Sequence, residues 1–148
     1  ELGEMFVIRN VANLVPPYEP DENYHGTSSA IEFAVRDLKV NDIVILGHSA
    51  CGGIQALVEH GEAGKVPERD FIGEWVSMAK CCLHHGPDVD KVSRHSIRNS
   101  LTNLMTFPFI KERVEAGDLT LHGWWYGMKE GVLWRYNAAQ DEFVQGEE

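Results

Sequence analysis

The stretch at residues 42–53, D-I-V-I-L-G-H-S-A-C-G-G, limits what this chain can fold into more than any other. Ile43, Val44, Ile45 and Leu46 form an unbroken apolar run, β-branched at three of its four positions. Such a run is expected as a strand buried on both faces, as in a parallel sheet. Gly47 breaks it, and His48 and Cys51 follow with two residues between them. Gly52 and Gly53 then open a helical pattern with Ile54, Leu57 and Val58 on one face. A strand, a tight turn and a helix put both side chains at the carboxyl end of a strand, where open α/β sheets bind their ligands. An imidazole and a thiolate at this spacing can converge on one ion, and both are good zinc ligands.

Two other readings of the same residues stand beside the metal site. Cys51 can be a small core residue and His48 a hydrogen-bonded filler. Gly47-His48-Ser49-Ala50-Cys51 is also one residue away from the nucleophile elbow G-x-S-x-G, with Ser49 or Cys51 as the nucleophile and the late His122 as its base. Cys51 then stands where the elbow needs a second small residue. His122 lies inside a strand pattern rather than on a loop, and 148 residues is short for that fold.

Length and composition fit one ordinary globular domain spanning residues 1–148, with 43% apolar residues for its core. Thirteen basic against 23 acidic residues give a formal charge of −10, with no Lys/Arg-rich run, so nucleic acid and anionic membrane surfaces are not expected partners. No apolar run approaches a membrane span and no signal peptide is visible. The three cysteines, two of them adjacent, make no disulfide framework and favour a reducing compartment. A cytoplasmic location is therefore expected, with an organelle stroma possible for a plant or alga.

In order along the chain, residues 5–8 read as a buried strand, and Pro16-Pro17 ends the apolar stretch at 11–15. Residues 18–25 read as a loop. A helix is expected from Gly26, with Ser29 and Glu32 at capping-box spacing and Ala30, Ile31, Ala34, Val35 and Leu38 as its apolar stripe. With the strand at 43–46 this makes a β–loop–α–β order, which implies parallel pairing and a right-handed crossover. Further helices are expected over 53–60, over 70–83 (Phe71, Trp75, Met78 and Cys82 apolar), and over 96–105 (Ile97, Leu101, Leu104 and Met105). Pro108 should open one more helix, running to Gly117. Residues 60–69 read as a loop, and 119–124 and 132–136 as strands joined by a turn at 127–131.

The remaining chemistry-bearing residues have plain explanations. Cys81 and Cys82 are vicinal on a helix, so their side chains diverge and core filling suits them better than chelation. His84 and His85 fall at a helix end, where the dipole favours a cation. Trp124, Trp125 and Tyr126 alternate as strand residues beside a core, and the acidic charge argues against a nucleic-acid platform.

Taken together these segments resemble the β-class carbonic anhydrases, more closely the plant-type branch. The resemblance is carried by G-E-M-F-V-I-R-N-V-A-N-L-V-P-P-Y at 3–18, Gly26-Thr27 with A-I-E-F-A-V at 30–35, and I-V-I-L-G-H-S-A-C-G-G at 43–53. S-L-T-N-L at 100–104, F-P-F at 107–109 and L-T-L-H-G-W at 119–124 continue it. It implies an α/β fold, a mostly parallel β-sheet flanked by helices. It also implies reversible hydration of carbon dioxide to bicarbonate by a zinc-bound hydroxide. One Zn2+ per subunit is implied, with His48 and Cys51 matching two of three protein ligands. Phe6, Val11 and Phe33 match the walls of the CO2 pocket, with Phe33 standing where the plant-type pattern has Tyr. Gly52 offers its backbone N–H to bicarbonate. A homodimer or higher homo-oligomer is implied, with Phe33 able to serve the neighbouring subunit.

The sequence departs from that family in one respect. The first zinc cysteine, with the Asp–Arg pair that governs the hydroxide, comes from a Cys-x-Asp-x-Arg motif upstream of the segment matched by 3–10. The chain begins at Glu1 rather than Met, and the motif is expected upstream of Glu1. The expectation is therefore an N-terminally truncated fragment lacking the first strand and the N-terminal helices. As given, the chain would be an impaired enzyme or, alternatively, a non-catalytic relic of the same fold.

Overall fold

Asp42–His48 forms the first strand, β1, in a computed structural model that describes residues 3–61 and 68–146. Before it come a 3-10 turn at Val11–Asn13 and helix α1 at Gly26–Glu32, which continues as one π turn through Phe33–Asp37. After it come α2 (Gly52–Gly61), α3 (Ile72–Ser77), a 3-10 turn at Lys80–His85, α4 (Val89–Leu104) and α5 (Pro108–Glu115). Strands β2 (Thr120–Gly127), β3 (Val132–Asn137) and β4 (Glu142–Gln145) close the described chain. None of the described helices is long and apolar enough to cross a membrane.

The four strands make one sheet in the order β1-β2-β3-β4. The parallel pairing expected of β1 is made with β2, where Val44 stands opposite His122 and Leu46 opposite Trp124. The β2–β3 and β3–β4 pairs are antiparallel, so the sheet is mixed. Its inner face packs on α4, α5 and the α1 region, in a core of Ile45, Ile97, Leu104, Phe107, Ile110, Leu119 and Trp125. A second core gathers Leu14, Cys51, Ile54, Leu57, Val76, Ala79, Cys82 and Val92 around α2 and α3.

Ile97 of α4 fixes how closely helix and sheet approach. A Cβ on Gly47 would meet its Cδ1 at 2.8 Å, and one on Gly123 would meet its Cγ2 at 2.9 Å. Glycine at both positions lets the isoleucine seat directly on the strands. The stripe that α4 presents alternates small polar residues, Ser93, Ser96 and Ser100, with Val92, Ile97 and Leu104, all buried. The three hydroxyls are satisfied internally; Ser96, for example, donates to the Ser93 carbonyl at 2.8 Å.

The structure corrects several expectations. Residues 5–8 form no strand: Met5 is 81% and Val7 67% exposed, because among the described residues no neighbouring strand takes their backbone groups. The crossover expected from that strand falls with it. β1 is buried on one face only, since Leu46 is 54% and Val44 40% exposed at the sheet edge. Helix α1 begins at Gly26 with no side-chain cap, so Ser29 lies inside the helix and not at a capping box. The helix expected over 70–83 is broken at Met78–Ala79; Gly73, Val76, Ala79 and Cys82 face the core, whereas Phe71 is solvent-exposed. Helix α4 starts at Val89, well before 96, because the Asp88 carboxylate accepts from the Asp90 and Lys91 N–H groups at 3.0 and 3.1 Å. β4 is a strand that the sequence pattern does not announce. Most of the loop expected at 60–69 lies outside the described residues, and so does Glu1, with the motif expected upstream of it.

Candidate metal centre

His48 is the last residue of β1 and stands opposite Tyr126, on the side of the sheet that also carries Val44 and Leu46. Its ring is half-buried, and Nδ1 donates to the Ser49 carbonyl oxygen at 2.8 Å. That bond puts the proton on Nδ1 and leaves the Nε2 lone pair free, the tautomer a metal-ligating histidine needs. Cys51 follows at the mouth of α2, where its carbonyl accepts the first helical bond, from Gln55 N–H at 2.8 Å. Its thiol is free and 4% exposed, packed in the core around α2.

The turn between them is held from three sides. Ala50 has a left-handed backbone (φ 52°), and its N–H donates to Asp90 Oδ1 at 2.7 Å. Asp90 lies in the first turn of α4, so the helix grips the turn directly. Ser49 donates its N–H to the Tyr126 carbonyl at 2.9 Å, and its Oγ accepts from the Met128 N–H at 2.9 Å. Ser93, fully buried on α4, donates to the His48 carbonyl at 3.3 Å and accepts from the Trp125 indole N–H at 3.3 Å. Together these bonds fix both ends of the His48–Cys51 turn against β2 and α4, and preorganisation of this kind lets a few ligands hold an ion well.

The two glycines after Cys51 are not equivalent. A Cβ on Gly53 would strike Val11 Cγ1 at 2.7 Å and Ala12 Cβ at 3.1 Å, so Gly53 is needed for the close approach of the 11–13 turn. That turn is anchored in its own right, the Trp75 indole donating to the Val11 carbonyl at 2.7 Å. Gly52 faces open space. Phe6 and Phe33 pair with ring centroids 5.8 Å apart, and both are partly exposed. Of the expected pocket residues, Phe6 pairs with Phe33 and Val11 packs on Gly53, whereas Gly52, next to Gly53 in the chain, stands open. None of them lines either of two cavities elsewhere on the surface.

In kind, the donors fit zinc: a correctly tautomeric imidazole and a thiol on one fixed turn. In number they are incomplete, because no group of three His, Cys, Asp or Glu side chains among the described residues could hold a metal ion. The first cysteine ligand and the Asp–Arg pair, expected upstream of Glu1, fall outside those residues. Cys82 is buried, and burial with the neighbouring Cys81 pushes its thiol up to about 12, which favours the inert protonated form. His84 bonds the Cys81 carbonyl. The hydrolase constellation does not assemble. His122 bonds Asp42 at 2.8 Å and pairs with Val44, five residues before Ser49 and so roughly 16 Å away along the strand. The Ser49 hydroxyl is 8% exposed and already engaged.

Asp90 and Ser93 escape sequence reasoning, since they lie in the part of α4 that precedes the helix expected over 96–105. The N-cap residue Asp88, directly after Gly86-Pro87, is the signal that could have found them. Asn13 is a further surprise: its φ is 47°, its Oδ1 lies 3.2 Å from where a Gly47 Cβ would be, and its buried Nδ2 has no partner among the described residues.

A family model described as carbonic anhydrase matches residues 1–133. Beta carbonic anhydrase 5, chloroplastic, of Arabidopsis thaliana is 41% identical over 136 residues, which is 84% of this chain and 43% of that protein. The structure of the β-carbonic anhydrase CcaA superposes with a TM-score of 0.86 at 31% identity, covering 99% of this chain and 74% of the other. One of two tetrameric β-carbonic anhydrases from Sordaria macrospora matches with a TM-score of 0.76 at 26% identity, over 93% of this chain and 71% of that one. The chain spans about half the length of the curated relatives it matches.

Proposed function

The chain belongs to the β-class carbonic anhydrase family, and we propose that the whole protein hydrates carbon dioxide reversibly to bicarbonate with one zinc ion per subunit. The observation that carries this reading is His48, whose Nδ1–H···O=C bond to Ser49 leaves Nε2 free on a turn that ends at Cys51. These two residues would hold the metal, with a third ligand proposed to be the cysteine of a Cys-x-Asp-x-Arg segment upstream of Glu1. Zinc, when bound, supplies a Lewis acid that lowers the pKa of a coordinated water to about 7, so that hydroxide is available at neutral pH.

The chain's own residues do the rest. Asp90, Ser93 and Ser49 hold the turn so that both donors stay oriented as substrate comes and goes. Phe6 paired with Phe33, and Val11 beside Gly53, are proposed as apolar walls where CO2 loses little by leaving water. The Gly52 N–H, at the start of α2, is proposed to donate to a bicarbonate oxygen. Residues 1–148 are proposed to act as one domain, because β4, beyond the matched residues, completes the same sheet.

We further propose a homodimer or higher homo-oligomer in a reducing, non-membrane compartment. His48 shares its side of the sheet with the exposed Val44, Leu46 and Tyr126, so a second copy seated there would also wall the metal centre from water. The test is made on the longest natural product. Metal analysis should find about one zinc per chain, lost with CO2 hydration in Cys51→Ser but kept in Cys81→Ser and Cys82→Ser. Equal zinc loss in all three would put the site elsewhere. Full zinc in Cys51→Ser would likewise put the site elsewhere, and no zinc in the unmutated product would leave a relic or another chemistry.

A further inference from the structure

On the far side of α4 from the metal turn, four side chains spaced i, i+3, i+4 and i+7 share one helix face: Lys91, Arg94, His95 and Arg98. They line a cavity of about 390 Å³, whose other wall is Asp141, Glu142 and Phe143 from the β3–β4 connection and the start of β4. In a chain of formal charge −10 this is an unusual gathering of cations.

Their hydrogen bonds show which charges are already committed. Arg98 donates to Asp141 at 2.7 Å and, through Nη1, to His95 Nδ1 at 3.0 Å. Asp141 also accepts from the Tyr136 hydroxyl at 2.6 Å, so its charge is answered twice. Because His95 accepts at Nδ1, its proton sits on Nε2, which remains a donor. The ring is held flat against His85, 3.3 Å away and inclined by 2°. Lys91 and Arg94, by contrast, have no ion pair, and their side chains no hydrogen bond, among the described residues. Arg94 rests its guanidinium face on the Trp125 ring at 4.8 Å, which orients the group and leaves its edge N–H donors open.

We propose that this cavity binds a phosphate group, as free phosphate or a phosphomonoester, between Lys91, Arg94 and the Nε2–H of His95. Two uncommitted cations match a dianion better than a halide, and an oriented guanidinium edge suits a tetrahedral oxyanion bidentately. The volume exceeds what inorganic phosphate fills, leaving room for an ester's organic part beside Phe143. Burial, followed by His85, Arg98, Lys91 and His84, holds His95 down to about 4, so its ring stands neutral with Nε2–H as a donor. Glu142, which has no ion pair among the described residues, works against an anion.

The site can be tested on the 148-residue chain by NMR titration at constant ionic strength, with inorganic phosphate and glycerol 3-phosphate in separate series. Saturable shifts are expected at Arg94, His95 and the Trp125 indole, with the His95 pKa moving up because a bound anion favours the imidazolium. Lys91→Ala with Arg94→Gln should weaken binding at least tenfold, and Lys111→Ala on α5 should not change it. Glu142→Gln should tighten binding severalfold, a gain that misfolding cannot imitate. Saturation by only one of the two probes would identify the source of the phosphate group. Equal shifts with chloride, non-saturating shifts with both probes, or unchanged affinity in the double variant would overturn the site.

Discussion

The two faces of the one sheet are built on different terms. The inner face carries Ile43, Ile45, Leu121, Trp125, Trp134 and Phe143, all packed into a core that α4 covers. The outer face, by the same register, carries Val44, Leu46, Trp124, Tyr126, Leu133 and Val144, of which Val44, Leu46, Tyr126 and Val144 are exposed. The residue types are nearly the same, but among the described residues helices meet only the inner face. Apolar content alone therefore does not make a core; what makes one here is α4, whose small residues and single Ile97 fit the glycines of β1 and β2. The candidate metal ligands straddle this division. His48 belongs to the outer face, Cys51 is buried in the core around α2, and Asp90 and Ser93 hold the turn between them.

The largest effect that would break this comparison is at Ile97. Truncation to Ala should cost about 2–5 kcal/mol, the range for a fully buried aliphatic side chain, read as a lower denaturant midpoint. A cost below about 1 kcal/mol would mean that α4 does not organise the inner face. Asp90→Ala removes the acceptor of the Ala50 amide and should cost about 1 kcal/mol. In the zinc-loaded whole protein it should also lower zinc affinity by about 10–100-fold; unchanged affinity would show that the turn holds itself.

A smaller effect comes from pH. His95, held down to about 4 chiefly by burial and then by His85, takes up its proton later in the folded than in the unfolded chain. Stability is therefore present above the unfolded pKa of about 6.5 and is lost as pH falls from there towards 4. His95→Gln should flatten the curve over that window, and an unaltered curve would remove His95 as its cause. Smallest of all, Leu46→Ser and Val44→Thr should shift monomer stability by no more than about 0.5 kcal/mol while reducing self-association in sedimentation. A loss comparable to Ile97→Ala would show that the outer face is as much a core as the inner one.

The sequence is legible where a segment's own residues decide its structure. β1, α2 and α5 are such cases: an apolar run closed by glycine, a three-residue stripe, and a proline at the first turn. Reading fails where the outcome depends on a neighbour. Residues 5–8 have strand composition but, among the described residues, no strand to pair with, and β4, only four residues long, exists because β3 templates it. The front of α4 is hidden for another reason: serines take the core positions where a hydrophobic period would announce a helix. In the site, the His48-x-x-Cys51 spacing is visible at once. Its supports, Asp90 and Ser93, are separated from the residues they hold by 40 and 45 positions and carry no local signature.

The uncovered sheet face has a calorimetric consequence. The heat capacity of unfolding tracks the apolar surface newly exposed, ordinarily about 12–15 cal/mol/K per residue. Here Leu46, Val44, Tyr126, Val144, Met5 and Val7 are already wet in the folded chain. The isolated chain should therefore unfold with a heat-capacity step and a denaturant slope small for its 148 residues. Its stability curve would be broad and shallow in temperature. Any partner that covers the face would steepen it, so binding there would register first as curvature.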